Sequence, residues 1–169
     1  LQEMWHLLGR KLLLGDIKTI EEMQDQATAI RFPIPKGPIA ILLLEGECNA
    51  NSTHALQSQR GEAPIFVKIT DQRTVLMMHF PEEHSEAQCK DELMHQAAVL
   101  MENSSEPSTL TVSISSIGHD LKDWTLLYRQ AVTALEHAIY DGVGQVYVYS
   151  DKKPREVQGL EISMKAYAA

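Results

Sequence analysis

Two rhythms of apolar residues run along the chain, and they lay out its elements in order. Leu1, Met4, Trp5, Leu8 and Leu12 recur at three- and four-residue steps, with Leu7 and Leu14 beside them, which predicts a helix over 1–14 that stops at Gly15. A second helix is expected over 19–30. Its inward face is Ile20, Met23, Ala27 and Ile30, and Thr19 followed three residues later by Glu22 is a capping-box pattern. Pro33 and Pro35 end it. Ile39 to Leu44 is continuously apolar, as a strand covered on both faces would be, and the acidic Glu45 and Glu47 come directly after it. The polar stretch 49–61 offers at most a short helix over Thr53–Gln59. Ile65–Thr70 and Thr74–Phe80 flank Asp71-Gln72-Arg73 and read as a hairpin. A helix over 89–101 turns Leu93, Met94, Ala97, Ala98 and Met101 inward. From Thr109 the period becomes two: Leu110, Val112 and Ile114 face one way, and Thr109, Thr111, Ser113 and Ser115 the other. A long helix over 121–140 then carries Trp124, Leu127, Tyr128, Ala131, Ala134, Leu135 and Ala138 on one stripe. Asp120 or Asp123 can cap its start, Gly142 suits a left-handed position after its end, and Gln145–Tyr149 is the last strand.

The segment from Ile39 to Ser115 therefore runs strand, helix, strand, strand, helix, strand. That order predicts an α+β, ferredoxin-like antiparallel sheet with helices packed on one face, preceded by an N-terminal helical segment. Ile39–Leu44 and Thr74–Phe80 should be the central strands and 109–115 a more peripheral one. Three parts are expected: a helical connector over 1–36, the α/β domain over 37–150, and a linker over 151–169 toward a following domain, charged and proline-broken at Asp151–Arg155 and helical over Val157–Tyr167. The first helix reads equally as a stalk, in a dimeric coiled coil, or as a helix packed on its own domain.

Within Thr109–Ser150 the residues Ser113-Ile114-Ser115, Asp120-Leu121, Tyr128, Ala131, Ala134-Leu135 and Gly142-Val143-Gly144 form a recognisable series. It resembles the end of the degenerate GGDEF-like, nucleotidyl-cyclase-like middle domain of bacterial AraC-type transcription regulators, including YesN-like response regulators and their membrane-bound relatives. Leu127 stands where that family usually has Ser, and Gln130 where it has Glu. The resemblance implies a cytoplasmic, regulatory domain in a two-component system. Its partners would be a neighbouring input module and a helix-turn-helix DNA-binding domain of the parent protein, with a homodimer as a further partner.

The same resemblance lets cyclase chemistry be checked residue by residue. An active cyclase needs carboxylates converging on Mg²⁺, and Glu45 and Glu47 stand where those residues would be. It also needs a Gly-Gly-Asp/Glu-Glu-Phe hairpin. Here that hairpin reads Thr70-Asp71-Gln72-Arg73-Thr74, without either glycine, and Arg73 lies where an acidic ligand is expected, so its charge would repel a metal. Lys68, Lys90 and Lys122 are available to a triphosphate, but no pattern fixes them as a clamp. The resemblance thus implies no catalytic residues, no metal and no cofactor. The alternative is a sensor that binds a nucleotide or metabolite at a pocket rimmed by Glu45, Glu47, Asp71 and Arg73, and an active cyclase with a diverged site is a third reading.

Other constellations are weaker. His79, His84, Cys89 and His95 are metal-ligand types without a zinc spacing. Ser116, His119 and Asp120 are the residue types of a hydrolytic triad, but adjacency in sequence is not triad geometry. Asn51-Ser52-Thr53 and Asn103-Ser104-Ser105 match a glycosylation pattern in polar loops.

Composition bounds these readings. The 169 residues are 44% hydrophobic, enough for one sizeable core. A net charge of −8 argues against direct nucleic-acid contact by this domain, since gripping phosphates takes clustered Lys and Arg. Two cysteines, Cys48 and Cys89, suit free thiols in a reducing compartment. No apolar run reaches membrane-spanning length, so no membrane insertion is expected.

Overall fold

The computed structural model describes residues 2–46, 64–104 and 109–150. Its elements are α1 (Gln2–Leu14), α2 (Ile20–Ala29), β1 (Ile39–Glu45), β2 (Ile65–Thr70), β3 (Arg73–His79), α3 (Glu86–Glu102), β4 (Thr111–Ile114), α4 (Asp123–Leu135), α5 (Ala138–Asp141) and β5 (Val146–Val148). The short helix expected over 53–59, Glu47, Cys48 and the segment 151–169 lie outside the described residues.

The strands form one sheet in the order β2-β3-β1-β4-β5. The first four strands pair antiparallel in the ferredoxin-like arrangement. β5 joins β4 in parallel and makes the sheet mixed. β1 and β3 are inner strands, as their unbroken apolar runs predict. So is β4: it lies between β1 and β5, and all four of its residues are buried. The hydroxyl side of β4, expected to mark a peripheral strand, instead packs beneath a helix. Ser113 Oγ donates to the Ala131 carbonyl of α4 at 2.7 Å, and Ser115 Oγ accepts from the Ile41 N–H of β1 at 2.8 Å. Small side chains let α4 lie close, and each buried hydroxyl finds a partner.

Helices cover both faces, not one. On the first, Ile39, Ile41, Leu43, Val67, Val75 and Met77 pack with Leu8, Leu12 and Leu13 of α1, Met23 and Ala27 of α2, and Trp124, Leu127 and Ala131 of α4. On the second, Ala40, Leu42, Leu44, Leu76, Val112 and Ile114 pack with Cys89, Leu93, Ala97 and Leu100 of α3. The two faces alternate along β1 because successive strand residues point to opposite sides.

The N-terminal helices share the first core. Gly9 lets α1 lie tight on the sheet, where a Cβ would stand 2.8 Å from Val67 Cγ2. Thr125 Oγ1 of α4 donates to the Leu12 carbonyl at 2.6 Å, and Trp5 Nε1 donates to the Ile30 carbonyl at 2.9 Å. Thr19 caps α2, accepting from the Glu22 N–H, as its spacing predicts. The inward faces are shifted from those expected. Met4, Leu7 and Ile20 are exposed while Leu13 is buried, and on α3 Met94 and Ala98 are exposed while Gln96 and Leu100 are buried.

Two helices also differ in extent. α3 starts three residues earlier than predicted, because Ser85 and Gln88 form a reciprocal capping box. The single helix expected over 121–140 starts at Asp123, stops at Leu135 and resumes as the short α5. Its stripe is buried from Trp124 through Leu135, but Ile139 and Tyr140 face outward, so beyond Leu135 no core contact holds one continuous axis. Asp123 fixes the entry, its Oδ2 accepting from the His119 and Asp120 N–H groups at 3.0 Å each. Gly142, at φ +103° and ψ 158°, adopts a conformation suited to glycine, though extended in ψ rather than in the expected left-handed helical turn.

Candidate functional site

The end of β1, the start of β3 and the end of α4 meet on the first face of the sheet. Glu45 closes β1, Arg73 opens β3, and the two are register partners. Both residues continue the odd-numbered side of their strands and so face α4. Arg73 Nε donates to Glu45 Oε2 at 2.9 Å. The pair is half-buried, with Tyr128 of α4 in hydrogen-bonding reach of the guanidinium. Burial works against the Arg73 charge, but the bonds to Tyr128 and Glu45 outweigh it and hold the guanidinium above its ordinary range.

The hairpin that carries Arg73 is tied down locally. Gln72 N–H donates to Thr70 Oγ1 at 3.2 Å, and the Gln72 carbonyl accepts from the Gly46 N–H at 2.7 Å. Gly46 has φ +122°, and a Cβ there would stand 3.0 Å from the Thr109 carbonyl oxygen, so glycine fits this close approach. β2 contains a bulge: Lys68 pairs with Thr74 and Thr70 with Arg73, which leaves Ile69 as the extra residue.

A cavity of about 390 Å³ opens beside the ion pair. Glu45, Arg73 and Thr111 line its polar end, and Val132, Leu135, Ile139 and Val143 supply apolar wall. Ile139 is 78% and Val143 62% exposed, so the apolar wall extends onto the surface. Glu136 adds a carboxylate to the rim.

Of the four site residues named from the sequence, two come together. Glu45 and Arg73 are paired at the cavity. Asp71 sits at the outer turn with a fully open side chain and a 3.8 Å contact to Lys68, away from the cavity lining. Glu47 lies outside the described residues. Sequence reading missed Tyr128 as a partner of Arg73, because the same tyrosine also fits the buried stripe of α4. Thr111 was missed too, because its polarity suggests a solvent-facing strand position.

The remaining constellations resolve into separate contacts. His79 lies edge-on to Trp124 at 5.5 Å on the first face, whereas Cys89 is buried on the second. His84 stacks on Phe80. Burial, with Glu92 and Glu86 nearby, pushes the Cys89 thiol up from its ordinary range. Among the described residues, no three His, Cys, Asp or Glu side chains converge as a metal cluster. Ser116 does not meet His119: its Oγ donates to Gln130 Oε1 at 2.6 Å, and its N–H donates to the same oxygen at 3.0 Å. Gln130, one of the two departures from the resembled pattern, thus anchors the loop after β4.

No family model matches the chain, and no curated protein matches it. Solved structures do. The GGEEF domain of a diguanylate cyclase from Vibrio cholerae is 14% identical with a TM-score of 0.51, over 83% of this chain and 96% of that one. A regulator of polyketide synthase expression from Bifidobacterium adolescentis is 11% identical with a TM-score of 0.49; the match covers 80% of this chain and spans half the length of that protein. The first of these likenesses, with the strand order above, establishes the fold as α+β and GGDEF-like.

Proposed function

We propose that this is a non-catalytic regulatory domain that couples an input module to a helix-turn-helix DNA-binding module in a bacterial AraC-type response regulator. The observation that carries the reading is the Arg73–Glu45 pair. A divalent ion bridging phosphates needs free carboxylates converging from separate elements. Here the β1 carboxylate is already bonded to a guanidinium that comes from the hairpin position where an acidic ligand would be needed. A metal entering beside Arg73 is repelled by its charge, and displacing Arg73 breaks its bond to Glu45. The parent protein would act in the cytoplasm, with DNA contacts made by another domain, because this one carries a net charge of −8. No helix among the described residues is long and apolar enough to cross a membrane.

Incubation of the purified chain with GTP or ATP, with Mg²⁺ and with Mn²⁺, tests the reading. No cyclic nucleotide or dinucleotide product is expected, and product formation abolished by Glu45→Gln would overturn it. The cavity favours one second reading, a sensor that binds a metabolite without turnover. Thermal melts against GTP, ATP and cyclic di-GMP address it. A ligand at a hundred times its dissociation constant stabilises the folded chain by about 2.7 kcal/mol, so binding gives a readable shift that Arg73→Ala should abolish.

A further inference from the structure

We infer that Arg10 and His6 of α1 are positioning residues that couple the N-terminal helix to the Glu45–Arg73 cavity through the bulge in β2. Such a link deepens the coupling role proposed above and rests on it for its purpose, though not for its geometry.

β2 is an edge strand of the sheet, so among the described residues no strand pairs with its outward backbone groups. Helix α1 supplies partners instead. Lys68 N–H donates to His6 Nε2 at 3.0 Å. Arg10 Nη1 donates to the Ile69 carbonyl at 2.7 Å and to the Lys68 carbonyl at 3.3 Å. His6 and Arg10 are four residues apart, so one side of the helix reaches the same stretch of edge. The contact falls at a particular place. Ile69 is the extra residue of the bulge, the one the ladder leaves unpaired, and its carbonyl is the one Arg10 holds most closely.

The bulge leads straight into the turn beside the cavity. One residue on, Thr70 Oγ1 accepts from Gln72 N–H; the Gln72 carbonyl accepts from Gly46 N–H; and Arg73 bonds Glu45. Removing the extra residue would shift the end of β2 by one position against β3 and force the turn that leads to Arg73 to change, because the side-chain period of a strand is two. Withdrawal of the Arg10 side chain, with α1 still packed in place, therefore frees the bulged carbonyl and loosens the turn that presents Arg73. The structure holds the engaged arrangement, with Arg10 on the bulged carbonyl; coupling requires a second one with Arg10 withdrawn, which the variants below imitate.

Nitrogen-15 NMR of the whole 169-residue chain reads this directly, through the amides of Gly46, Lys68 and Gln72 and the side-chain Nε–H of Arg73. In Arg10→Ala, the Gly46 amide and the Arg73 Nε–H should shift, and Gly46 should exchange roughly fivefold faster, the loss of about one hydrogen bond. Arg10→Lys, which keeps the charge and the donors but loses the planar guanidinium geometry, should give an intermediate shift. Linkage also demands the reverse: Arg73→Ala should shift the Lys68 amide. Shifts confined to α1 and residues 65–70, with Gly46 and Arg73 unchanged in both Arg10 variants, would overturn the proposal. If Arg10→Ala melts at room temperature, Arg10→Lys and His6→Ala carry the same comparison. The spectra are independent of turnover, so the Arg10–β2 link and the non-catalytic reading can each fail alone.

Discussion

The two faces of the sheet bury similar aliphatic side chains but are built differently. The second face meets one described helix, α3, through a mainly apolar set centred on Leu42, Leu76, Leu93 and Leu100, with Gln96 the one buried polar side chain of that helix. The first meets α1, α2 and α4, and there the core is interleaved with small or polar residues at close contacts: Gly9 under α1, Ser113 under α4, Thr125 against Leu12, and Arg73 with Glu45 at one end. A face held by bulk alone tolerates some repacking, whereas close approach and matched polar partners fix where each helix lies. The candidate site and the link from α1 both belong to the fixed face.

The strongest challenge to that contrast is Trp124→Ala. It empties the largest fully buried side chain of the first face and should cost about 3–5 kcal/mol, against about 2–5 kcal/mol for Leu93→Ala on the second, both read from urea midpoints. A larger loss for Leu93→Ala would reverse the ranking. Gly9→Ala sharpens it by sign. A free helix would gain about 1 kcal/mol from alanine. A helix pressed on Val67 should instead lose about 1–3 kcal/mol. Arg73→Ala should cost about 1–2 kcal/mol, because it strands Glu45 in a half-buried site, while Lys68→Ala, which breaks only the open pair with Asp71, should stay within about 0.5 kcal/mol. Equal effects would mean that the buried pair is not special. Ser113→Ala should cost about 1 kcal/mol by leaving the Ala131 carbonyl short of a donor. The smallest effect concerns the second face and pH. The Cys89 thiol is raised in the folded state, so the stability it contributes is complete below the ordinary thiol range and is lost as pH climbs through the folded value. Denaturation midpoints of the wild-type chain should fall over that window, and Cys89→Ala should flatten the slope.

Much of the fold is legible in the sequence where one periodicity has one explanation. The run Ile39–Leu44 is apolar because both faces of β1 are covered, and the α4 stripe lies buried as its spacing requires. Reading fails where a residue type has two uses. Serine and threonine on and after β4 look solvent-facing by polarity, yet they are buried because their hydroxyls are small and find partners: Ser113 in α4, Ser115 in β1 and Thr111 in the Gly144 N–H. Met4 and Leu7 look like core by hydropathy, but Leu13 takes the inward position once α1 turns Gly9 toward the sheet. At the site, Glu45 and Arg73 can be named from their places at a strand end and a hairpin. Their bond to each other, Tyr128 beside them, and Arg10 on the bulged carbonyl join positions far apart in sequence, and no local pattern encodes such contacts. The Ser85–Gln88 box, by contrast, is an available local signal.

The placement of β1 also sets the order of events during synthesis. Its backbone is completed on one side by β3 and on the other by β4, and the Ile41 N–H waits for Ser115 Oγ, 74 residues downstream. Until β4 has emerged, the most apolar strand of the chain presents an open flank, and closing it requires a long loop to be ordered before any contact rewards it. This domain should therefore fold late and as a whole. A nascent chain paused before Ile114 would hold a sticky, unfinished sheet, and the residues that end that exposure are the ones that position α4 over the site.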